Sequence, residues 1–348
     1  MAYWVVGAGG IGCAIGARLA QHHPLIFVDS WHENVDAMRR SGLTVDYPDG
    51  QVHVEPIRAW HLTEMGQIND PPEVVLLAVK SYQTAEIVTS LLPYLTETSP
   101  VVSLQNCINE DTIASIVGPN RTIGAMVRFD GALKGPGHGS ATRKERRLVI
   151  GQLDGRITPR LQEIGAVLSQ SVPTDLSDNI WRELWSKLVR NTEVNAVAVI
   201  GGLGMGQIVT DPTARRLAIA LGMETVKVAL RLGIELDPTE LDGPVSAYLQ
   251  PLGSPEVNGL EEHFRKMFEA YPQVKASMLQ DVEKGRPTEI DFMNGHVVKK
   301  GAELGIPTPL NAEMVRLVKE VEAGKRRPDR QAVAEVFAPL AASVAQVT

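Results

Sequence analysis

The string Gly7-Ala8-Gly9-Gly10-Ile11-Gly12 constrains this chain more than any other feature. It follows a short apolar run, Tyr3 to Val6, and leads into alanine, isoleucine and leucine at helical spacing. Strand, tight turn and helix in that order open a dinucleotide-binding fold. Gly7 permits the turn, Gly9 lets the backbone approach a pyrophosphate, and Gly12 lets helix and strand pack closely. Gly10 and Ile11 open the helix, whose N-terminus suits the charge of the pyrophosphate. A G-x-G-x-x-G string recurs by chance, so its place directly after a strand is what gives it weight. A secretory signal is the rival reading. It is rejected because the first charge is Arg18, no basic region precedes the apolar stretch, and glycines interrupt it.

Asp29 bears on which dinucleotide is bound. PLIFVDS reads as the second strand and places this acid 22 residues after Gly7. A carboxylate there accepts hydrogen bonds from ribose hydroxyls and repels a 2′-phosphate, so NAD is expected over NADP. The plainer alternative is an acid that caps the next helix. Arg39 and Arg40, on the exposed face of that helix, leave a smaller case for NADP.

The remaining pattern alternates. Strands are expected at 2–6, 24–29, 73–79, 100–105, 122–129 and 146–152, and helices at 10–21, 31–41, 84–95, 111–118 and 157–170. Residues 43–56 read as a hairpin around Pro48-Asp49-Gly50. From Asn179 onward strand signals fade and long amphipathic helices take over. The expected architecture is α/β, with a Rossmann-type doubly wound sheet over 1–178 and an all-helical second domain over 179–348. A length of 348 residues supports two domains. A net charge of −7 makes nucleic acid or an anionic membrane an unsuited partner. VVLLAV is far too short to cross a membrane. The two cysteines, Cys13 and Cys107, give no disulfide framework and no metal-ligand cluster. A reducing cytoplasm and no bound metal are expected, with Cys13 packing the first helix against the sheet.

Lys187, Asn191 and Asn195 recur every four residues in WRELWSKLVRNTEVNAVAVIGG. On a helix they share one face. A cation and two carboxamides in a row suit an oxygen-rich small molecule that must be bound and protonated. A solvated helix face is the bland alternative on spacing alone.

GAGGIG, VVLLAVKSYQT, VVSLQN, SKLVRNTEVNA, ASMLQDVEKGRPTEIDFMNGHVV and GIPTPLN occur in order along nearly the whole chain. With them the sequence resembles the ketopantoate reductase (2-dehydropantoate 2-reductase) family. The resemblance implies that Lys187 is the general acid and that Asn191, Asn195 and Ser277 bind substrate, Ser277 at its carboxylate. Glu289 would orient the substrate hydroxyl and the lysine. Asn106 would sit beside nicotinamide and substrate, and Lys80 near the cofactor. A homodimer is implied as well. The chemistry agrees, because hydride delivery to a ketone leaves negative charge on oxygen, which a poised cation can neutralise by proton transfer. Glu289 follows Pro287-Thr288 and is expected in the first turn of a helix, where it could equally serve as a cap. Lys80 could be a plain strand-end lysine.

Three departures stand out from that family pattern. Cys107 replaces the glycine usual after the V-x-L-Q-N asparagine, and would crowd the cofactor or redirect the loop. Thr192-Glu193 replace small apolar residues between the asparagines. Residues 240–275 form a longer connection than the family needs, suited to a lid or a substrate-pocket insertion. The expected function is an NAD-dependent oxidoreductase interconverting a 2-oxo acid and a 2-hydroxy acid, ketopantoate-like, across a cleft between two domains. A dehydrogenase of another hydroxy compound and a non-catalytic dinucleotide sensor remain open.

Overall fold

The computed structural model describes residues 2–142, 146–269 and 274–344. The chain divides into two compact units, Met1–Trp181 and Arg182–Thr348. The first carries strands β1 (Ala2–Val6), β2 (Leu25–Asp29), β3 (Leu43–Tyr47), β4 (Gly50–Val54), β5 (Arg58–His61) and β6 (Pro72–Leu77). It continues with β7 (Val101–Ser103), β8 (Thr122–Val127), β9 (Gly131–Gly135), β10 (His138–Ala141), β11 (Leu148–Gln152) and β12 (Thr174–Leu176). Helices α1 (Gly10–Leu19), α2 (His32–Ser41), α3 (Thr84–Leu91), α4 (Glu110–Val117) and α5 (Pro159–Leu168) alternate with them.

Eight strands form one sheet in the order β12-β11-β8-β7-β6-β1-β2-β5. Neighbours are parallel except β8 and β11. The order reverses at β1, with β2 on one side and β6 on the other, and such sheets take ligands beyond the strand ends at that point. Successive β1 residues feed two cores. Tyr3 and Val5 pack with Ile15 of α1 and Leu161 of α5, while Trp4 and Val6 pack with Ile87 and Leu91 of α3 and Ile113 of α4. Burial on both faces is why Val74–Leu77 reads as a continuous apolar run. Cys13 is fully buried and its Sγ lies 3.1 Å from the Ala8 carbonyl, as expected of a helix–sheet packing residue.

The expected strands and helices of this unit are present, but the sequence did not disclose β5 or a second sheet. That sheet runs β4-β3-β10-β9. The β3–β4 hairpin was legible, and its parallel pairing with β10 was not. The sheet lies on the outer side of α1, where Tyr47 Oη donates to the Ala14 carbonyl at 2.7 Å. GALKG and HGSA, the strands β9 and β10, are short and glycine-rich, with little of the alternation that marks a strand.

The second unit carries α6 (Ile180–Gly201, beginning two residues before it), α7 (Met205–Thr210), α8 (Pro212–Arg231), α9 (Pro255–Glu269), α10 (Ser277–Glu283), α11 (Asn294–Leu304), α12 (Pro309–Glu322) and α13 (Arg330–Val344). Among its described residues there is no strand. Asp211 caps α8 through the Thr213 and Ala214 amides, with Pro212 at the first helical position. The first turn of α12 is capped from another helix. The Leu310 and Asn311 amides donate to the two oxygens of Glu224 on α8, each at 3.0 Å. Among the described residues no helix is long and apolar enough to cross a membrane.

Candidate functional site

The glycine turn is built as the string requires. Gly7 has φ +98°, and a Cβ there would stand 2.7 Å from the Ala78 carbonyl carbon. A Cβ at Gly12 would stand 2.0 Å from the Gly7 oxygen. Gly9 meets nothing within 4 Å, and no side chain caps the first turn of α1. The amides that open α1 with Gly10 and Ile11 therefore suit an anion lying over Gly9. Gly10 has a second task, because its Cβ position is 2.2 Å from the Gly131 backbone of β9.

Asp29 ends β2 and joins two loops. Its Oδ2 accepts from the Ala8 amide at 2.6 Å and its Oδ1 from the Trp31 amide at 2.8 Å. Trp31 occupies the N-cap position of α2 without a side-chain cap bond, and its amide is the one Asp29 holds. Each carboxylate oxygen still has acceptor capacity for a ribose hydroxyl. Burial pushes the Asp29 carboxyl above its usual range, while the Trp31 and Ala8 amides and His61 oppose that rise. Arg39 is committed elsewhere, with Nη2 on Glu64 at 2.5 Å and Nε on the Ala59 carbonyl at 2.7 Å. His61 stands beside Asp29 in the sheet, and its ring stacks on His32 with centroids 3.5 Å apart. Sequence reading gave no sign of that pair, because β5 was not recognised.

Lys80 and Asn106 follow β6 and β7, adjacent strands of the sheet. Their loops are fastened together by residues the sequence did not single out. The Asn106 carbonyl accepts from Ser81 Oγ at 3.2 Å and from Asn109 Nδ2 at 2.8 Å. Gln105 Nε2 donates to the Val79 carbonyl at 3.0 Å and to Thr84 Oγ1 at 2.7 Å. Cys107 is buried at φ +68°, the left-handed region that favours glycine. The family's usual glycine at this position thus has a backbone reason, and the loop keeps that conformation with cysteine. Below it Glu110 accepts from the Asn109 amide at 2.9 Å, and burial pushes its carboxyl up to about 7.

The expected row lies on α6, the longest helix described. Lys187 and Asn191 are half-buried and Asn195 is buried. Asn195 Nδ2 donates to the Asn191 carbonyl at 3.1 Å. Its Oδ1 accepts from Ser277 Oγ and the Met278 amide, each at 3.4 Å. The structure therefore joins Ser277, at the start of α10, to the row. Asn195 consequently has a docking task in addition to any contact with substrate.

Glu289 is buried but does not lie in a helix. It sits in a turn before α11, where its carbonyl accepts from the Phe292 and Met293 amides at 3.0 Å each. The expected helix starts only at Asn294. The Thr288 amide donates to Glu322 at 2.7 Å, which fixes the turn against α12. Behind the row, Asn294 Nδ2 reaches Asn311 Oδ1 at 2.9 Å, and Asn311 Nδ2 reaches Glu224 at 2.8 Å. Asn311 is the last residue of GIPTPLN, a motif noticed without this reason for it.

Comparison with known proteins gives consistent matches. The family described as ketopantoate reductase PanE/ApbA matches residues 3–155, and its C-terminal part, ketopantoate reductase PanE/ApbA C terminal, matches residues 179–322. The 2-dehydropantoate 2-reductase of Archaeoglobus fulgidus is 27% identical, covering 92% of this chain and 97% of its own. The crystal structure of a PanE/ApbA family ketopantoate reductase from Ralstonia eutropha JMP134 superposes with a TM-score of 0.77 at 27% identity, covering 93% of this chain and 99% of its own. D-mandelate dehydrogenase, solved with NADH and anilino(oxo)acetate, has a TM-score of 0.80 at 24% identity over 93% of this chain and 99% of its own. That last likeness is one of fold.

Proposed function

The chain belongs to the ketopantoate reductase family of NAD(P)-dependent oxidoreductases, and from that premise we propose that it interconverts a 2-oxo acid and a 2-hydroxy acid with NAD as hydride carrier. The observation that carries the reading is the α6 row joined to Ser277. It sets neutral donors for a carboxylate on the same helix face as a lysine. A reduced nicotinamide, when bound, supplies the hydride. Lys187 gives its proton to the oxygen that gains charge, and Glu289 orients Lys187 and the hydroxyl. Asn191, Asn195 and Ser277 hold the carboxylate, fixing which carbon faces the hydride. Domains 1–178 and 179–348 supply the cofactor and substrate halves, and homodimeric assembly belongs to the same proposal.

In the cofactor half, Gly7, Gly9, Gly10, Ile11 and Gly12 cradle the pyrophosphate. Lys80 and Asn106 flank the nicotinamide end. Asp29 supports NAD over NADP, because its carboxylate is already fixed at the strand end and Arg39 is paired with Glu64. The test is oxidation of NADH and of NADPH with a panel of 2-oxo acids of graded side chain. Turnover of a 2-oxo acid with higher kcat/KM for NADH is expected. Equal or better use of NADPH would refute the cofactor assignment, and no turnover with any 2-oxo acid would refute the substrate class.

A further inference from the structure

Two departures from the family pattern, Glu193 on α6 and the long connection after α8, meet in the structure. Residues 237–248 run beside α6 and are fastened to it at successive turns. The Asp237 amide donates to Ser186 Oγ at 2.8 Å. Arg190 Nε and Nη2 donate to the Glu240 carbonyl at 3.1 and 2.7 Å. Tyr248 Oη donates to Glu193 Oε1 at 3.2 Å and accepts from the Asp242 amide at 3.2 Å.

The last of these fastenings is unusual. Glu193 is 1% exposed and Asp242 is 2% exposed, and Tyr248 Oη bonds both the Glu193 carboxyl and the Asp242 amide. Glu193 Oε2 and both Asp242 carboxyl oxygens have no hydrogen-bond partner among the described residues. Arg190 approaches Asp242 at 3.5 Å as an ion pair without hydrogen-bond geometry. Two neighbouring carboxyls buried with only one guanidinium beside them are not both ionised, so one keeps its proton. Because Arg190 pairs with Asp242, the balanced state is an ionised Asp242 and a neutral Glu193. The site is shaped for this group. A Cβ on Gly222 of α8 would stand 2.3 Å from Glu193 Oε1, so only glycine leaves room for the carboxyl.

We propose that Glu193 and Asp242 are positioning residues that strap residues 237–248 to the substrate helix and thereby set which 2-oxo-acid side chain that helix accepts. This rests on the oxidoreductase reading above only for its specificity clause. The groups facing the pair are Arg190 on α6, Tyr248 on the strap and His263 on α9. Burial and Asp242 push the Glu193 carboxyl well above its usual range, with Arg190 opposing. A raised folded value means that the strap's stability is fully present below the unfolded carboxyl range. It is lost as pH rises through the folded value.

Hydrogen exchange of the 237–249 amides across pH tests the strap without requiring activity. After correction for intrinsic rates, wild-type protection should fall on the alkaline side. Glu193→Gln stays neutral and keeps an acceptor for Tyr248, and should hold its protection at every pH. Glu193→Ala, and Gly222→Ala from the opposite helix, should lose it throughout. On the kinetic side, 3-methyl-2-oxobutanoate and pyruvate serve as branched and small probes. Glu193→Ala should shift their KM ratio by roughly tenfold, the scale of one buried hydrogen bond, with the KM for NADH unchanged, and Glu193→Gln should restore it. Protection that follows the same pH course in wild type and Glu193→Gln overturns the neutral Glu193. Wild-type protection retained in Gly222→Ala overturns the strap. An unchanged KM ratio in Glu193→Ala overturns the specificity role. Absence of turnover on either acid, with the exchange pattern as expected, would instead count against the oxidoreductase reading.

Discussion

Glu110 offers a quantitative test of the loop that carries Asn106. Its carboxyl is buried at the first position of α4, and burial raises it from 4.5 to about 7 against the pull of its own amide, Ser103 and the Asn109 amide. The fold therefore holds an extra proton between those two values. The stability tied to that proton is fully present below a pH of about 4.5 and is lost as pH climbs to about 7. At roughly 1.36 kcal/mol per pH unit, the whole loss is about 3 kcal/mol. Glu110→Gln is permanently neutral, so it should be spared that loss. Urea unfolding of both proteins at pH 5 and pH 8 isolates the effect as a difference of differences. The stability of Glu110→Gln relative to wild type should rise by about 2–3 kcal/mol between the two pH values, read from the transition that includes the first unit. An offset that is the same at pH 5 and pH 8 would show that Glu110 does not hold the extra proton, and the account of its burial would fail.

Asp29→Ala should narrow any preference for NADH over NADPH. It should also weaken both cofactors, because the Ala8 amide loses a charge-assisted partner worth about 1.5–3 kcal/mol. A variant whose NADH affinity is untouched would refute the tie between Asp29 and the glycine turn. If the substrate's carboxylate is held by Ser277, Asn191 and Asn195, the amide or methyl ester of a preferred 2-hydroxy acid should turn over far more slowly than the acid. Equal turnover would remove the carboxylate clamp.

The glycine turn, the strand-end acid and the four-residue row were legible because each rests on local spacing. Gly7, Asp29 and Lys187 could be assigned to elements without knowing what lay beside them. Contacts between distant segments were not legible. The pairing of β3 with β10 joins residues far apart in sequence, and β10 is a four-residue strand, HGSA, with no large apolar side chain to mark it. The helix expected at Glu289 failed because Pro287-Thr288 opens a turn that is fixed from outside by Glu322, and the helix begins later. Cys107 was noticed only as an oddity, and its meaning needed the backbone angle. Glu193 and the long connection were noticed separately, and only the fold brings Glu193 against Asp242. Part of that connection, 270–273, lies outside the described residues.

The central claim is that Lys187 protonates the oxygen of a 2-oxo acid as hydride arrives. The most direct measurement is kcat for Lys187→Ala beside wild type on a preferred 2-oxo acid, with the NADH dissociation constant measured by fluorescence on the same preparations. The account predicts a loss of roughly 10²–10⁴ in kcat with NADH binding nearly unchanged, since Lys187 lies on α6 and the glycine turn lies in the first unit. A Lys187→Ala variant that turns over at close to the wild-type rate would contradict it.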